Sequence, residues 1–344
     1  MELRRRATIV DVAREAKVSI KTVSRVLNDE PTVRPTTRER VMAAASLLHY
    51  HPNIIAQGLV GRRSYLLGLF YENPSPNYVV ELQLGAFDRL RKERYQLVVL
   101  PVENIESIAD KIVGLVRSAA LDGVILTPPA SDNPTILRKL QEVQFPFVRI
   151  AATTAPEIGP SITTDDVAAS RELVNYLIGL GHRRIAMIKG DPRHPSSEAR
   201  TTGYCLALEA AGIAVDESLI AQGMFSFDSG LDAARELSVR ADRPTAIFAQ
   251  NDDMAAGVIA AAHDQGLSIP QDLSVVGYDD SAIAKIVYPR LTTIHQPVRD
   301  MAYGAAEMLL AMVENVPYET LVDYPFALVI RESAGPAPSG VSDV

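Results

Sequence analysis

Small hydrogen-bonding and cationic side chains lie close together near the N-terminus, in the stretch VSIKTVSRVLN at residues 18–28. Lysine and arginine can donate hydrogen bonds to guanine, and isoleucine can contact the methyl group of thymine. The valines and the leucine recur at helical spacing, so the polar side chains share the opposite face. A solvated basic face is the alternative. The side chains that could contact base edges are Ser19, Ile20, Lys21, Thr22 and Arg25.

A second set of polar side chains follows the apolar runs of the remaining chain, in the motifs YENPSPNY, KGDPRHPSSEAR, AQNDDM and GYDDS. Amide, carboxylate and guanidinium groups together offer the donors and acceptors that vicinal sugar hydroxyls need. An aromatic ring can cover the apolar face of a sugar. Each residue could instead be a loop residue that bonds its own backbone. The candidate sugar-binding residues are Asn73, Tyr78, Arg200, Phe225, Asn251 and Asp279.

Two pairs of carboxylates, Asp252-Asp253 and Asp279-Asp280, could act as acid and base or hold a metal ion. Adjacent residues at a strand end point to opposite sides, so we expect each pair to diverge. The chain has no GxxxxGKS/T or GxSxG motif, and its histidines lack metal-ligand spacing. We therefore predict no catalytic residue, no metal site and no cofactor, and a binding protein rather than an enzyme.

Charge is distributed unevenly along the 344 residues, which carry a net charge of −8. Residues 1–64 contain 12 Lys and Arg against 6 Asp and Glu, a net +6, whereas the other 280 residues contain 22 against 36, a net −14. A basic N-terminal region on an acidic chain indicates a local polyanion site. The single cysteine excludes a disulfide framework.

Three short helices are predicted in the N-terminal region. Thr8 followed by Asp11 resembles a capping box that opens a helix over about 9–16. Ser19 is a suitable N-cap for a second helix over about 20–28, and a third helix spans about 35–48. This arrangement is typical of a helix-turn-helix, whose second helix lies in the major groove of DNA.

The segment HPNIIAQGLVGRRS, residues 51–64, connects this region to the rest. Its apolar centre could form a short helix, which is marginal in water unless something packs on it. A plain linker is the alternative.

From Tyr65 onward, apolar runs alternate with helical patterns. This alternation predicts an α/β fold with parallel sheets, in which ligands bind beyond the carboxyl ends of the strands. No apolar run approaches the ~18 residues of a membrane span, and charges interrupt any signal-peptide pattern, so we expect a cytoplasmic protein without membrane contact. The tail SAGPAPSGVSDV is predicted to be disordered.

Several motifs occur in an order that resembles the LacI/GalR (lactose-repressor) family of bacterial transcription regulators: TIVDVAREAKVS, KTVSRVLN, LGHRRIA, QNDDMA, SVVGYDD and LTTIHQP. The resemblance covers about residues 7–333. It implies an all-α helix-turn-helix domain joined by a hinge helix to an α/β two-lobed, periplasmic-binding-protein-like body with parallel sheets. It further implies a repressor of carbohydrate-utilisation genes with a sugar effector between the lobes. A purine or other non-sugar effector is the alternative, as is a sugar-binding module without a regulatory role.

The resemblance also assigns residues. Ile20 and Lys21 match the positions that chiefly select operator bases, and Gln296 joins the effector set defined above. Arg200, Phe225, Asn251 and Asp279 match effector positions of the second lobe. Further base, phosphate or hinge contacts are implied for Thr8, Thr22, Ser24, Arg25, Asn28, Asn53, Ala56 and Leu59.

Four departures from the family pattern matter. Lys17 stands where glycine is usual, so a left-handed backbone there would cost ~1 kcal/mol. Arg34 replaces a small polar cap of the third helix and could hold a phosphate instead. Ala151 replaces an acid that contacts sugar, and Arg149 is the substitute we expect. A C-terminal tetramerisation helix is missing, so we predict a homodimer on a pseudo-palindromic operator.

These expectations divide the chain into four parts. They are the DNA-binding domain (1–51), the hinge helix and linker (52–64), the two-lobed effector-binding and dimerisation domain (65–335) and a disordered tail (336–344).

Overall fold

The computed structural model describes residues 7–27, 30, 32–50, 63–72, 75–238 and 242–338. The chain divides into an N-terminal unit, Met1–Tyr65, and a body, Leu66–Val344. Most of the predicted hinge therefore lies outside the described residues. So do five residues to which we assigned contacts: Asn28, Asn53, Ala56, Leu59 and Asn73.

The N-terminal unit contains three helices, α1 (Ile9–Glu15), α2 (Ile20–Leu27) and α3 (Pro35–Leu47), which begin at the predicted residues. Each helix contributes apolar side chains to one small core. The buried members of that core are Val12, Ala13, Ala16, Val23, Val26, Val41, Ala44 and Ala45.

Local interactions set the helix ends as the sequence predicts. The Thr8 hydroxyl oxygen accepts the Asp11 N–H while the Asp11 carboxylate accepts the Thr8 N–H, which completes the capping box. Ser19 Oγ accepts the Thr22 N–H at 3.1 Å, as an N-cap does. Lys17 has a φ of 53°, so its backbone is left-handed. Arg34 precedes α3 without a side-chain capping bond.

The first lobe of the body begins with five strands and four helices. The strands are β1 (Leu66–Tyr71), β2 (Gln96–Pro101), β3 (Gly123–Leu126), β4 (Phe147–Ile150) and β5 (Ser161–Thr163). The helices are α4 (Pro76–Leu90), α5 (Ile105–Ala109), α6 (Ile112–Ser118) and α7 (Pro134–Glu142), with 3-10 turns at Ala130–Asp132 and Pro156–Ile158.

The second lobe follows directly. Its helices are α8 (Asp166–Gly179), α9 (Pro195–Ala210), α10 (Phe227–Ser238), α11 (Asp252–Asp264) and α12 (Ala282–Ile286), with a 3-10 turn at Glu217–Leu219. Its strands are β6 (Ile185–Lys189), β7 (Ile220–Gln222), β8 (Ala246–Ala249), β9 (Ser274–Val276) and β10 (Thr293–His295). The chain then returns to the first lobe through α13 (Val298–Glu314) and β11 (Leu321–Asp323), and to the second lobe through β12 (Ala327–Val329).

Two parallel sheets form the centres of the lobes, as predicted. The first sheet has the order β11-β5-β4-β3-β1-β2 and the second the order β7-β6-β8-β9. Their central strands β3, β4 and β8 are buried along their whole length, because helices cover both faces. One pair was not predicted: β10 and β12 are antiparallel and form a separate two-stranded sheet.

The structure partly corrects the prediction of a disordered C-terminal tail. Gly335 and Ala337 pack on the second lobe: the Ala337 N–H donates to Leu180 O at 2.9 Å, and Gly335 O lies 3.0 Å from His182 Nε2. The disordered tail predicted for 336–344 therefore does not begin at 336, and residues 339–344 lie outside the described part. No helix within the described residues is long and apolar enough to cross a membrane.

Candidate DNA-recognition surface and ligand cleft

The exposed face of α2 carries the residues that the sequence singled out. Ser19, Ile20, Lys21 and Arg25 are exposed, while Val23 is fully buried on the opposite face. Ile20 is 48% exposed, which places an apolar side chain at the start of the helix in contact with solvent. Major-groove reading uses the N-terminal residues of such a helix, so this surface has the chemistry that base contacts require.

Three of the predicted DNA contacts, Thr8, Thr22 and Arg25, have local partners. The Thr8 hydroxyl donates to Asp11 Oδ2 at 2.7 Å, and the Thr22 hydroxyl lies 2.9 Å from Ser19 Oγ. Arg25 pairs with Glu30, with 3.4 Å between Nε and Oε2, and both side chains are exposed. An exposed ion pair contributes little stability, so Arg25 can exchange this partner for a phosphate or a base at little cost. Ser24 is half-buried, and Arg34 is exposed at the start of α3.

The body contains a cavity between the lobes, hereafter the cleft cavity. Its walls come from loops that follow the carboxyl ends of strands, where ligands of parallel sheets bind. Its free volume is ≈ 30 Å³, which is room for about one or two water molecules. Six of the eight predicted effector residues line it. The complete lining is Ser75, Tyr78, Pro128, Ala151, His194, Ser196, Arg200, Phe225, Asn251, Asp279 and Gln296.

Arg200 is the cation of the cleft cavity and is 5% exposed. Its Nε donates to Asp166 Oδ1 at 2.9 Å, and its Nη1 donates to Gln250 O at 2.5 Å. Its guanidinium carbon lies 3.7 Å from the centroid of the Tyr278 ring. Burial lowers the pKa of Arg200, but the charges of Asp166, Tyr278 and Asp279 and the hydrogen bond to Asp166 together raise that pKa by more, so the guanidinium stays protonated.

Asp279 follows β9 with a φ of 111°, a conformation that side chains rarely adopt. Its backbone N–H donates to Ile294 O at 2.9 Å, and its carboxyl group has no hydrogen bond within the described part of the chain. Burial raises the pKa of Asp279 well above its usual range, while Arg200 opposes that shift. A carboxyl group held in this way is available to exchange hydrogen bonds with a ligand.

Phe225 also has a left-handed backbone, with a φ of 59°, and its ring packs edge-on against His194 with centroids 5.4 Å apart. A Cβ at Gly190 would lie 2.0 Å from this ring, so the ring position requires glycine there. Asn251 holds the Phe225 loop, because its Nδ2 donates to Phe225 O at 2.9 Å. Asn251 Oδ1 meanwhile accepts the Met254 N–H as the N-cap of α11.

The structure corrects the prediction that Arg149 binds effector, because Arg149 does not line the cleft cavity. It is fully buried, and its guanidinium bonds three carbonyl oxygens and one carboxylate within the first lobe. The partners are Ser131, Thr154, Ala155 and Asp132, with Asp132 Oδ1 at 3.2 Å. Arg149 therefore holds the loop after β4 in place, while Ala151 faces the cavity.

Sequence reasoning missed His194, Ser75 and Ser196. His194 is 3% exposed, and its Nε2 has no hydrogen-bond partner among the described residues. Oε1 of Gln296 likewise has none among them. The motifs KGDPRHPSSEAR and YENPSPNY contain the three missed residues, so the sequence marked the loops. It did not indicate which side chains of those loops turn inward.

Three contacts join the lobes beside the cleft cavity. Ser75 Oγ donates to Asp253 Oδ2 at 2.5 Å, and Asn77 Nδ2 lies 3.4 Å from Asp253 Oδ1. Arg193 bonds Glu72 of the first lobe and Asp191 of the second. The carboxylate pair at 252–253 diverges as expected, because Asp252 instead accepts from Thr293 and Ser281. Within the described ranges, no group of side chains could hold a metal ion.

Both parts of the chain match known families. The model of bacterial regulatory proteins of the lacI family matches residues 8–53, and the model of periplasmic binding protein-like domains matches residues 174–334. The chain is 34% identical to catabolite control protein A of Priestia megaterium, over 95% of this chain and 98% of that protein. It is 35% identical to the regulator CelR of Thermobifida fusca (97% and 100%) and 31% identical to the repressor PurR of Vibrio campbellii (92% and 95%).

Solved structures agree with these matches. The Lac repressor dimer bound to operator and the anti-inducer ONPF superposes with a TM-score of 0.85 at 28% identity, covering 96% of this chain and 100% of that one. The CelR–cellobiose complex gives a TM-score of 0.72 at 31% identity, covering 95% and 100%. Since relatives above 30% identity extend over nearly the whole chain, this protein belongs to the LacI family and is a DNA-binding transcriptional regulator, not an enzyme.

Proposed function

We propose that the protein is a dimeric repressor of carbohydrate-utilisation genes whose operator affinity is controlled by a sugar in the cleft cavity. The observation that carries the effector assignment is the convergence of the carboxyl group of Asp279, the guanidinium of Arg200 and the aromatic ring of Phe225 on one cavity. These groups offer the acceptors, donors and apolar surface that a sugar needs. The CelR structure in complex with cellobiose supports this choice.

Control of DNA binding would follow from linkage. A sugar changes operator affinity only by the difference between its affinities for the two arrangements of the lobes. The free volume of ≈ 30 Å³ is far smaller than a sugar ring, so a sugar must separate the lobes or displace lining side chains. The contacts of Ser75 with Asp253 and of Glu72 with Arg193 are those that such a movement would break.

The alternatives differ in effector and in role. A purine effector remains the second candidate, because PurR repressors are among the relatives. A sugar-binding module without regulation would have no use for an exposed face bearing Ile20, Lys21 and Arg25 on α2.

We propose the DNA contacts and domain limits on the same basis. Residues 1–51 would bind DNA, and 52–64 would form the hinge. Asn53, Ala56 and Leu59 would lie in the hinge helix, and Leu59 would enter the minor groove. Residues 65–335 would bind effector and dimerise. The exposed face of α2 would read bases through Ile20 and Lys21. Flanking base or phosphate contacts would come from Thr8, Ser19, Thr22, Ser24, Arg25, Asn28 and Arg34.

A dimer is supported by one stripe of α4. Val80, Leu84 and Phe87 recur at helical spacing and are 50%, 38% and 52% exposed. An apolar stripe of this kind suits an isologous contact between two copies. Light scattering should give a dimer for the native protein and a monomer for Phe87→Asp, whereas a native monomer would contradict the proposal.

The decisive experiment is affinity selection of fragmented genomic DNA by the full-length protein, followed by sequencing. We expect a few pseudo-palindromic sites near transport and hydrolase genes. Retention of selective binding after deletion of residues 1–64 would refute the assignment of DNA binding to that region.

Two substitutions refine this test. Changing Ile20 and Lys21 together should alter operator preference, whereas uniform weakening on all sequences would place them on phosphates. Arg200→Ala should abolish the effector response, but it also leaves Asp166 buried without its ion pair. Asp279→Asn is therefore the sharper variant for the effector site.

A further inference from the structure

The exposed face of α2 includes an ion pair between Arg25 and Glu30. Arg25 and Lys21 are four residues apart, so both lie on the face that is assigned to base reading. Glu30 follows the end of α2, and its Oε2 lies 3.4 Å from Arg25 Nε. Charge alone makes a carboxylate unfavourable beside DNA phosphates, so any benefit of Glu30 must come from its contact with Arg25.

The ion pair uses the inner nitrogen of the Arg25 guanidinium, Nε, and not its outer end. The outer nitrogens, Nη1 and Nη2, form the end of a rigid planar fork of N–H donors. Within the described chain, neither of these two nitrogens has a bonding partner. A contact with O6 and N7 of guanine requires two such N–H groups side by side. Arg25 can therefore bond Glu30 and a guanine at the same time.

The backbone of Glu30 is held by hydrogen bonds on both of its sides. Its N–H donates to Arg25 O at 3.0 Å, at the end of α2. Its carbonyl oxygen accepts from Arg38 Nη2 at 2.9 Å, and Arg38 Nη1 donates to Val26 O at 3.4 Å. Arg38 belongs to α3, so its guanidinium joins the end of α2 to the next helix. The packing of α2 and α3 thus fixes the backbone from which the Glu30 carboxylate reaches Arg25.

The ion pair has little effect on stability. The side chains of Arg25 and Glu30 are 46% and 44% exposed, and exposed ion pairs contribute little to the free energy of folding. The consequence of the pair is the direction of the guanidinium. A free arginine beside DNA can contact a phosphate of any sequence. An arginine that is bonded at Nε to an acid is partly neutralised, and its outer N–H groups keep one direction.

We propose that Glu30 is a positioning residue for base recognition, which directs Arg25 toward a guanine of the operator and away from phosphates. The carboxylate stays on Nε while Nη1 and Nη2 donate to O6 and N7 of the base. On DNA without that guanine, a phosphate contact of Arg25 must first break the ion pair, which weakens binding to other sequences. This inference rests on the proposed function, because it assumes that α2 reads operator bases.

The test measures the affinity of the full-length protein for labelled DNA duplexes by fluorescence anisotropy. The probes are the duplex most enriched in the genomic selection, its single base-pair substitutions made in both half-sites, and a scrambled duplex of the same composition. Arg25→Ala identifies the base pair that Arg25 reads, because discrimination is lost at that pair. Glu30→Gln should lower discrimination at the same base pair about two- to fivefold and leave the other positions unchanged.

The scrambled duplex gives a second, independent readout. Glu30→Gln frees Arg25 for a phosphate, so the slope of log K against log salt concentration should steepen by up to about 0.9, the value for one phosphate contact. Glu39→Gln is the matched control, because it removes the same charge from an exposed side chain of α3. It should change neither the base preference nor the slope. In an Arg25→Ala background, Glu30→Gln should likewise change neither.

Three results would overturn the inference while leaving sequence-specific binding intact. An equal effect of Glu30→Gln on every duplex would show that Glu30 acts by its charge alone. A change in base preference in the Arg25→Ala background would show that Glu30 acts without Arg25. Uniform weakening of all duplexes by Arg25→Ala would place Arg25 on a phosphate. A native protein that binds no duplex more tightly than the scrambled one would instead overturn the proposed function, and this inference with it.

Discussion

Lys17 has a left-handed backbone between α1 and α2, a conformation that glycine adopts without steric conflict. Replacing Lys17 with glycine should stabilise the N-terminal unit by about 0.5–1 kcal/mol, because the relief of strain exceeds the extra entropy of the unfolded chain. Hydrogen exchange of the peptides covering α1 and α2 in the full-length protein measures this change. Lys17→Ala is the control, since it removes the charge but keeps the Cβ. Equal protection in both variants would assign the effect to the charge.

The residue types at the strand ends predicted the lining of the cleft cavity correctly, whereas the inferred direction of a side chain, that of Arg149, was wrong. Tyr78, Arg200 and Asp279 were found from the chemistry of residues at strand ends, and the structure brings them to one cavity. Arg149 was proposed because it lies two residues before Ala151. Residues i and i+2 share a face only within a strand, and Ala151 follows β4 with a φ of 50°. The alternation therefore ends at that point, which the sequence does not reveal.

The contact between α4 and α13 depends on a glycine. A Cβ at Gly85 would lie 2.0 Å from Arg299 O and 2.9 Å from the Cβ of Ala302. Gly85→Ala should therefore push the helices apart and destabilise the first lobe by about 1–3 kcal/mol, as overpacking does. Urea unfolding of the full-length protein measures the loss.

Gly114 in α6 provides the matched control, because nothing lies within 4 Å of a Cβ placed there. Gly114→Ala should stabilise the protein by up to about 1 kcal/mol through helix propensity alone. If both alanines changed stability in the same direction, close helix contact would not be the role of Gly85.

The capping box of α1 gives Thr8 a structural role besides its proposed phosphate contact. Thr8→Ala should cost about 1 kcal/mol of local stability, since the Asp11 N–H loses its side-chain acceptor and keeps only the backbone carbonyl of Thr8. Thr8→Ser keeps the hydroxyl and should retain both the cap and operator affinity. Hydrogen exchange over residues 9–16 without DNA separates the two roles. Unchanged exchange in Thr8→Ala would leave the phosphate contact as the only function of Thr8.

Elements with a strong local pattern were predictable to within a few residues. Capping residues and apolar spacing located α1 and α2, and the alternation of apolar runs with helical patterns predicted the parallel sheets of the body. The antiparallel pairing of β10 with β12 was not predictable, because each strand has three residues and their partnership depends on two chain crossings between the lobes. The packing of Ala337 on Leu180 was missed because composition alone indicated a disordered segment.

The whole molecule depends on contacts between residues far apart in the sequence. Ser75 and Asp253 are separated by 178 positions, and Glu72 and Arg193 by 121. No local pattern predicts such pairs. The sequence therefore predicted two lobes and a ligand between them, but not the contacts that hold those lobes together.

Two buried groups of the body should give its stability opposing dependences on pH. Burial raises the pKa of Asp252 to about 7, above its value of about 4 in an unfolded chain. Its contribution to stability is therefore complete below about pH 4 and is lost as the pH rises to about 7. Burial lowers the pKa of His194 to about 4, so its contribution is complete above about pH 6.5 and is lost as the pH falls to about 4.

Between about pH 4.5 and 6.5 these two contributions should largely cancel in the native protein, and single substitutions should separate them. Asp252→Asn removes the group whose contribution to stability is lost as the pH rises. The free energy of unfolding of this variant should therefore rise with pH relative to that of the native protein. His194→Gln should give the opposite change. Each slope is at most about 1.4 kcal/mol per pH unit, the value for one proton. Urea unfolding at several pH values, with Glu198→Gln as an exposed control, measures both slopes. Slopes that change in the same direction would contradict burial as the cause of the two pKa shifts.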